Sequence, residues 1–329
     1  MLAGAPLLAE VDTDTYKVAP AAWVAFFALI GVLLLVDLLL VHRKPHAAST
    51  KEAAIESAVW ISIGVAFTFV ILAWQGSGAA GEYLSAYLIE KSLSVDNVFV
   101  WAVIFSFFAV PAKYQHRVLF WGIFGALVMR FAFIFAGVAL LTRFEFLLFI
   151  FGGFLLFTAY RMVAKPDEQE VDPERSLVLR LVRRVVPSTT DYDGQRLFTH
   201  VSGRRLATPL FAVLVLVETT DVLFAVDSVP AVLGVSREQF IVLTSNAFAI
   251  LGLRALYFLL GGMHDRFAYL KYGLALILAF VGVKMILSRW YHLPIALSLG
   301  FIAVVLTASI WASLRKERRD GPAGELPTP

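Results

Sequence analysis

The chain has 329 residues, of which 59% are hydrophobic and 16% charged, and its mean hydropathy is +0.78. Soluble domains are nearer half apolar and a quarter charged, so this composition is typical of a membrane protein. The absence of cysteine excludes disulfides, thiolate metal sites, iron–sulfur clusters and thiol nucleophiles. The net charge of +3 is small, and we expect no nucleic-acid partner.

Nine apolar segments follow one another along the chain, and their continuous runs indicate membrane helices rather than barrel strands. The first is too long for a signal-peptide core and precedes the basic run 42–44, so we expect a retained span. The segments are 21–41, 54–74, 82–110, 118–140, 144–163, 208–233, 239–261, 267–287 and 293–314. The sequence therefore predicts an all-α polytopic membrane protein.

Lys and Arg are concentrated in alternate connections between these segments. The connections after the first, third, fifth and ninth segments are basic, as is the region after the seventh, where Arg266 is followed by Lys271, and the other connections carry at most one Lys or Arg. By the positive-inside rule, the N-terminus lies outside and the C-terminus in the cytoplasm, which predicts a multi-pass protein of the bacterial inner membrane. Membrane lipid is therefore an expected partner of the chain.

The connection 164–207 is the one sizeable polar segment. Within it, 173–187 combines apolar residues with Arg180, Arg183 and Arg184. A basic amphipathic helix on the cytoplasmic leaflet and a solvated linker both fit this pattern. The same basic loop could also dock a protein partner.

Two groups of three spans resemble each other. Asp96-Asn97 in the third span parallels Asp227-Ser228 in the sixth, with Glu90 and Asp221 six residues before them. Further matches join 127–130 to 251–254 and 160–163 to 283–286. Because each group has an odd number of spans, the second copy enters the membrane from the opposite side, which is the inverted-repeat plan of secondary transporters.

This pattern predicts a 3+3 inverted repeat of spans 3–5 and 6–8. The resulting organisation is an extracytoplasmic N-terminus (1–20), two peripheral helices (21–81), repeat 1 (82–163), a cytoplasmic linker (164–207), repeat 2 (208–288), a final helix (289–314) and a cytoplasmic tail (315–329).

Five carboxylates fall within the third and sixth spans: Glu90, Asp96, Glu218, Asp221 and Asp227. Each ionised group costs about 2.5–3.5 kcal/mol at the centre of a bilayer, so these acids must face the protein interior and find partners. Asp96 and Asp227 would point away from Glu90 and Asp221 on straight helices. Either protein lines both sides of these helices, or each helix is interrupted, as Pro230 would favour in the sixth span.

Two explanations compete for the acids. In the first they form buried ion pairs with Arg130, Arg254 or Lys91, although such pairs rarely stabilise more than apolar packing. In the second they bind a hard divalent cation such as Mg²⁺, Ca²⁺ or Mn²⁺ through oxygen ligands. The three basic residues would then form ion pairs with the acids or gate the cation site. Ser228 and Asn246 are secondary ligand candidates. Asp37, Arg161 and Lys284 are near span ends and are expected to extend to the interface.

The motifs at 90–99 (EKSLSVDNVF) and 218–230 (ETTDVLFAVDSVP) strongly resemble the TerC family, as does 191–195 (DYDGQ) before 207–211. The resemblance covers about 20–315. It implies an integral inner-membrane protein of a family named for tellurium resistance, with members associated with manganese export and metal stress. It also implies that the metal-handling residues are Glu90, Asp96, Asn97, Glu218, Asp221 and Asp227.

The sequence thus predicts Mn²⁺ efflux by alternating access, with proton exchange as the coupling reaction. Two alternatives stay open: a stress-response or metal-delivery protein acting through a partner, and an exporter of another cation such as Ca²⁺. No tightly bound cofactor and no catalytic residue is expected, because the sequence contains no nucleophile–base pair, phosphate loop or cofactor motif.

Overall fold

A computed structural model describes residues 18–37, 49–144, 146–164, 186–189, 191–201, 204–260, 269–288, 290–291 and 293–320. These ranges contain nine helices and one two-stranded antiparallel sheet. The elements are α1 (Pro20–Val36), α2 (Thr50–Phe107), α3 (Ala112–Arg143), α4 (Leu147–Ala164), β1 (Phe198–Val201), β2 (Arg204–Ala207), α5 (Pro209–Leu233), α6 (Gln239–Leu251), α7 (Leu253–Leu260), α8 (Leu270–Leu287) and α9 (Ile295–Asp320).

Six helices in the described ranges are long and apolar enough to cross a membrane, and the bent pair α6–α7 makes a seventh. The nine predicted segments all fall on helices: α2 holds the second and third, and α6 with α7 holds the seventh. The chain is therefore a multi-pass membrane protein. Its core centres on α6, in which every residue from Phe240 to Leu251 is buried.

The second and third predicted spans form one helical segment with a reversal at Gly76. A straight 58-residue helix would be about 87 Å long, far beyond the roughly 30 Å of bilayer hydrocarbon. Gly76 has φ 88° and ψ −177°, a conformation that favours glycine. The Tyr83 hydroxyl donates to the Gly64 carbonyl across the reversal, at 2.8 Å. The predicted loop at 75–81 is thus wrong: one glycine makes the turn, and 77–81 are helical.

The seventh span is broken at Gly252, where α6 ends and α7 begins with a bend of 40°. A side chain at this position would lie 2.7 Å from the Cβ of Trp60 on α2 and 3.0 Å from the Lys91 Nζ. Lys91 donates to the carbonyl of Ala249, in the last turn of α6, at 3.1 Å. This bond satisfies a carbonyl at the end of a helix, where a positive charge also interacts favourably with the helix dipole.

Helices α4 and α8 pack backbone to backbone through two glycines. A Cβ on Gly282 would lie 2.8 Å from the Gly152 carbonyl oxygen, and a Cβ on Gly152 would lie 2.9 Å from the Gly282 carbonyl oxygen. Close approach through small residues is the usual way in which membrane helices associate without a hydrophobic driving force.

Gly282→Ala is therefore expected to lower the free energy of unfolding by about 1–3 kcal/mol, because the added methyl group meets backbone that cannot move aside. Chemical unfolding in detergent would measure this. Gly153→Ala is the matched control, since a Cβ at position 153 has no neighbour within 4 Å. Equal effects of the two substitutions would contradict a tight α4–α8 contact.

The predicted helix at 173–187 lies almost wholly outside the described residues. The part of the 164–207 connection that is described contains a β-hairpin, which the sequence did not predict, with Phe198 paired to Ala207. The Tyr192 hydroxyl before it donates to the Phe108 carbonyl at 2.6 Å. The Thr199 hydroxyl donates to Asp193 at 2.7 Å and lowers the pKa of that carboxyl. This part of the connection is thus docked against the turn between α2 and α3.

Candidate functional site

A buried arginine joins the two related acidic helices. Arg130, on α3, donates from Nε to Asp221 Oδ2 at 3.2 Å and from Nη2 to Asp221 Oδ1 at 2.9 Å. Its Nη1 donates to the Ser228 hydroxyl at 3.2 Å and forms an ion pair with Glu90. Glu90, Arg130 and Asp221 are 0%, 1% and 2% exposed. One guanidinium therefore bridges Glu90 and Asp221, which occupy matching positions in the two predicted repeats.

One face of α2 presents further oxygens to this region. Glu90, Ser94 and Asn97 recur at intervals of four and three residues, so they share a helical face, and all three are buried. Asn97 Nδ2 donates to Asp221 Oδ1 at 3.4 Å. Within the described chain, Glu90 Oε2, Ser94 Oγ and Asn97 Oδ1 have no hydrogen-bond partner. Buried oxygens without a donor are costly, and a cation would satisfy them.

The other predicted acids lie apart from this centre. Asp227 is half-buried on the side of α5 that faces α4, where it accepts from the Thr158 hydroxyl at 3.3 Å and interacts electrostatically with Arg161. The carboxylate of Glu218 lies where a Cβ of Gly125 would be, so it packs directly on α3. The side chain of Asp96 lies outside the described structure.

For Asp227, the structure decides between the two geometries that the sequence allowed. α5 is continuous from Pro209 to Leu233 with Pro230 inside it, so Asp227 is lined by a second helix and no interruption turns it toward Asp221. The interruption occurs instead in the neighbouring span, at Gly252. Among the described residues, no group of three or more Asp, Glu or His side chains converges as a metal site.

Arg254, the counterpart of Arg130 in the second predicted repeat, has a different partner. It forms a buried ion pair with Asp37 at the end of α1 and interacts electrostatically with Glu56 of α2. The expectation that Asp37 extends to the interface is wrong, since this residue is only 7% exposed. Sequence analysis missed the pairing because 217 positions separate the two residues. The signal in the sequence was the position of Asp37, seventeen residues into an apolar segment.

Lys91 and Asn246 complete the predicted set. Lys91 contacts the backbone of α6 rather than a carboxylate, as described above. Asn246 is buried in α6, and its Nδ2 has no partner among the described residues. The structure thus brings together Glu90, Asn97, Arg130, Asp221 and Ser228, whereas Asp227, Arg254 and Lys91 have other partners.

Comparison with known proteins matches the integral membrane protein TerC family over residues 75–321. The chain belongs to the TerC family. The match begins at the reversal in α2 and includes every residue of the central cluster. Asp37 and Glu56, which surround Arg254, lie before it.

TerC-family relatives align over almost the whole chain. An uncharacterised membrane protein of Myxococcus xanthus, STKORF319, is 47% identical over 94% of this chain and 97% of its own length. A relative from Escherichia coli (strain K12) is 44% identical over 92% of this chain and 98% of its own length. Its full name describes it as a proposed membrane-bound redox modulator, Alx. An uncharacterised membrane protein of Rickettsia bellii is 37% identical over 89% and 97%. No solved structure matches the chain.

Proposed function

We propose that the chain is a divalent-cation transporter of the inner membrane and that its principal substrate is Mn²⁺, which it exports. The observation that carries this proposal is the buried cluster of Glu90, Asn97 and Asp221, in which Glu90 Oε2 and Asn97 Oδ1 have no hydrogen-bond donor among the described residues. Oxygen ligands of this kind suit hard divalent ions. Two buried acids paired with one guanidinium stabilise a fold less than well-packed apolar side chains would, so stability alone does not explain the cluster.

Alternating access of two inverted repeats is the mechanism that we propose for transport. Three features support it. Helix α3 packs on α5, and α6 and α7 pack on α2, so helices of each predicted three-helix unit pack on helices of the other. Helix α4 packs on its counterpart α8. The third feature is the break at Gly252, which the side chain of Lys91 approaches, because discontinuous helices are common at transporter ion sites.

Export has to overcome the membrane potential. An inside-negative potential opposes the outward movement of a cation by about 2.3 kcal/mol per charge per 100 mV, and so by about twice that for a divalent ion. Proton exchange is our candidate driving reaction, since carboxylates bind metal only when deprotonated.

The test is flux of Mn²⁺, Ca²⁺ and Mg²⁺ in proteoliposomes of the purified chain, with and without a pH gradient. We expect Mn²⁺ flux that a pH gradient accelerates and that Glu90→Gln reduces at least a hundredfold. Asp193→Asn is the control, because this exposed carboxylate lies in the connection between α4 and α5, outside the apolar spans, and should leave flux unchanged. A folded protein with no flux of any of these ions would refute the transporter proposal, and preference for Ca²⁺ would change the substrate.

A second candidate follows from the name of the Escherichia coli relative. Redox modulation cannot use thiol chemistry in a chain without cysteine, so it would act through metal supply to other proteins. The connection 164–207, part of which is docked on the turn between α2 and α3, is the segment that we propose for contact with a partner. Absence of flux together with retained metal binding would favour this second function.

A further inference from the structure

Arg130 occupies the position that a cation would need between the acidic helices. Its guanidinium engages both oxygens of Asp221 and one oxygen of Glu90, and the third nitrogen also reaches the Ser228 hydroxyl. Arg130 and its three partners are each at most 2% exposed, so water does not screen these interactions. The side chain is thus held by the same oxygens that a metal substrate would require.

The charges of the cluster do not allow both cations at once. Two carboxylates and one guanidinium carry a net charge of −1, and the two carboxylates with a divalent ion are neutral. A divalent ion beside the bound guanidinium would leave a net charge of +1 in a buried site, with two cations in contact range. Two cations that share the same buried carboxylate oxygens repel each other strongly, so metal binding requires that the guanidinium leave the carboxylates.

We infer that Arg130 is a tethered competitor of the substrate: it occupies the acid pair when no metal is bound and is displaced from that pair by the divalent ion. This inference rests on the proposed function and concerns regulation of the same site. Glu218 lies one helical turn before Asp221 and packs on α3, which also carries Arg130, so it offers the displaced guanidinium a second carboxylate. The competitor sets the metal affinity low enough for release.

The experiment compares apparent Mn²⁺ affinities of the full chain in detergent, measured from the Mn²⁺ dependence of thermal stabilisation. Arg130→Gln removes the competing charge and is expected to bind Mn²⁺ at least tenfold more tightly than the wild type. The control removes a guanidinium from an exposed ion pair outside the cluster, as Arg196→Gln, which breaks its contact with Asp193. This control is expected to bind as the wild type does.

Ser228→Ala gives a second, milder test that removes one hydrogen bond of Arg130 and no charge. A tethered competitor predicts tighter Mn²⁺ binding by about twofold or more, whereas a metal-ligand role for Ser228 predicts weaker binding. Unchanged or weaker binding in both Arg130→Gln and Ser228→Ala, or an equal gain in the control, would overturn the inference alone. Absence of Mn²⁺ binding in the wild type and in all variants would overturn the proposed function as well.

Discussion

Asp221→Ala is expected to destabilise the folded protein by about 3–5 kcal/mol and to abolish Mn²⁺ flux. Asp221 accepts two hydrogen bonds from Arg130 and one from Asn97, and its removal leaves a buried guanidinium with only Glu90 and Ser228 as partners. Breaking a buried ion pair from one side has this large cost because the remaining charge is uncompensated. Chemical unfolding in detergent and proteoliposome flux would measure the two effects separately.

Asp227→Asn is the control for the effect of Asp221→Ala on stability. Asp227 is half-buried and accepts one hydrogen bond from Thr158 through an oxygen that asparagine can keep. A loss of about 0.5–1.5 kcal/mol is therefore the expected effect on stability. Equal destabilisation by Asp221→Ala and Asp227→Asn would show that Asp221 is not the principal partner of Arg130.

The acids and their helices could be predicted from the sequence because charged residues in an apolar run are conspicuous. The internal matches also singled out Arg130 and Arg254 as partners of those acids. Their different roles could not be predicted, because similar motifs in two related helices do not specify which acid each arginine reaches. Arg130 engages both acids, and Arg254 pairs with Asp37 of a helix outside the matched segments.

Span positions were predictable for the same reason, whereas the breaks between helical segments depend on tertiary contacts. Gly76 reverses the chain and Gly252 bends it by 40°, and the residues next to each glycine do not specify these angles. The bend is accompanied by contacts from Trp60 and Lys91, which are distant in sequence. The hairpin at 198–207 was missed because its strands have four residues each, too few for a periodic signal.

Asp37→Ala is expected to have the second large effect, a loss of about 3–5 kcal/mol in the free energy of unfolding. Asp37 forms a buried ion pair with Arg254, and its removal takes away the largest favourable charge interaction of that guanidinium. Arg254 lies two residues after the break at Gly252, so the pair also fixes the start of α7 against α1. We therefore expect a flux at least tenfold below that of the wild type, measured in proteoliposomes.

The double variant Asp37→Leu with Arg254→Met decides what the ion pair does. Replacing both partners by apolar side chains of similar size is often neutral or stabilising, so we expect the free energy of unfolding to return to within about 1 kcal/mol of the wild type. If flux stays low in this stable protein, the pair serves the movement of α7 during transport. Full recovery of flux would show that the pair only compensates charge, and a double variant as unstable as Asp37→Ala would contradict the pairing itself.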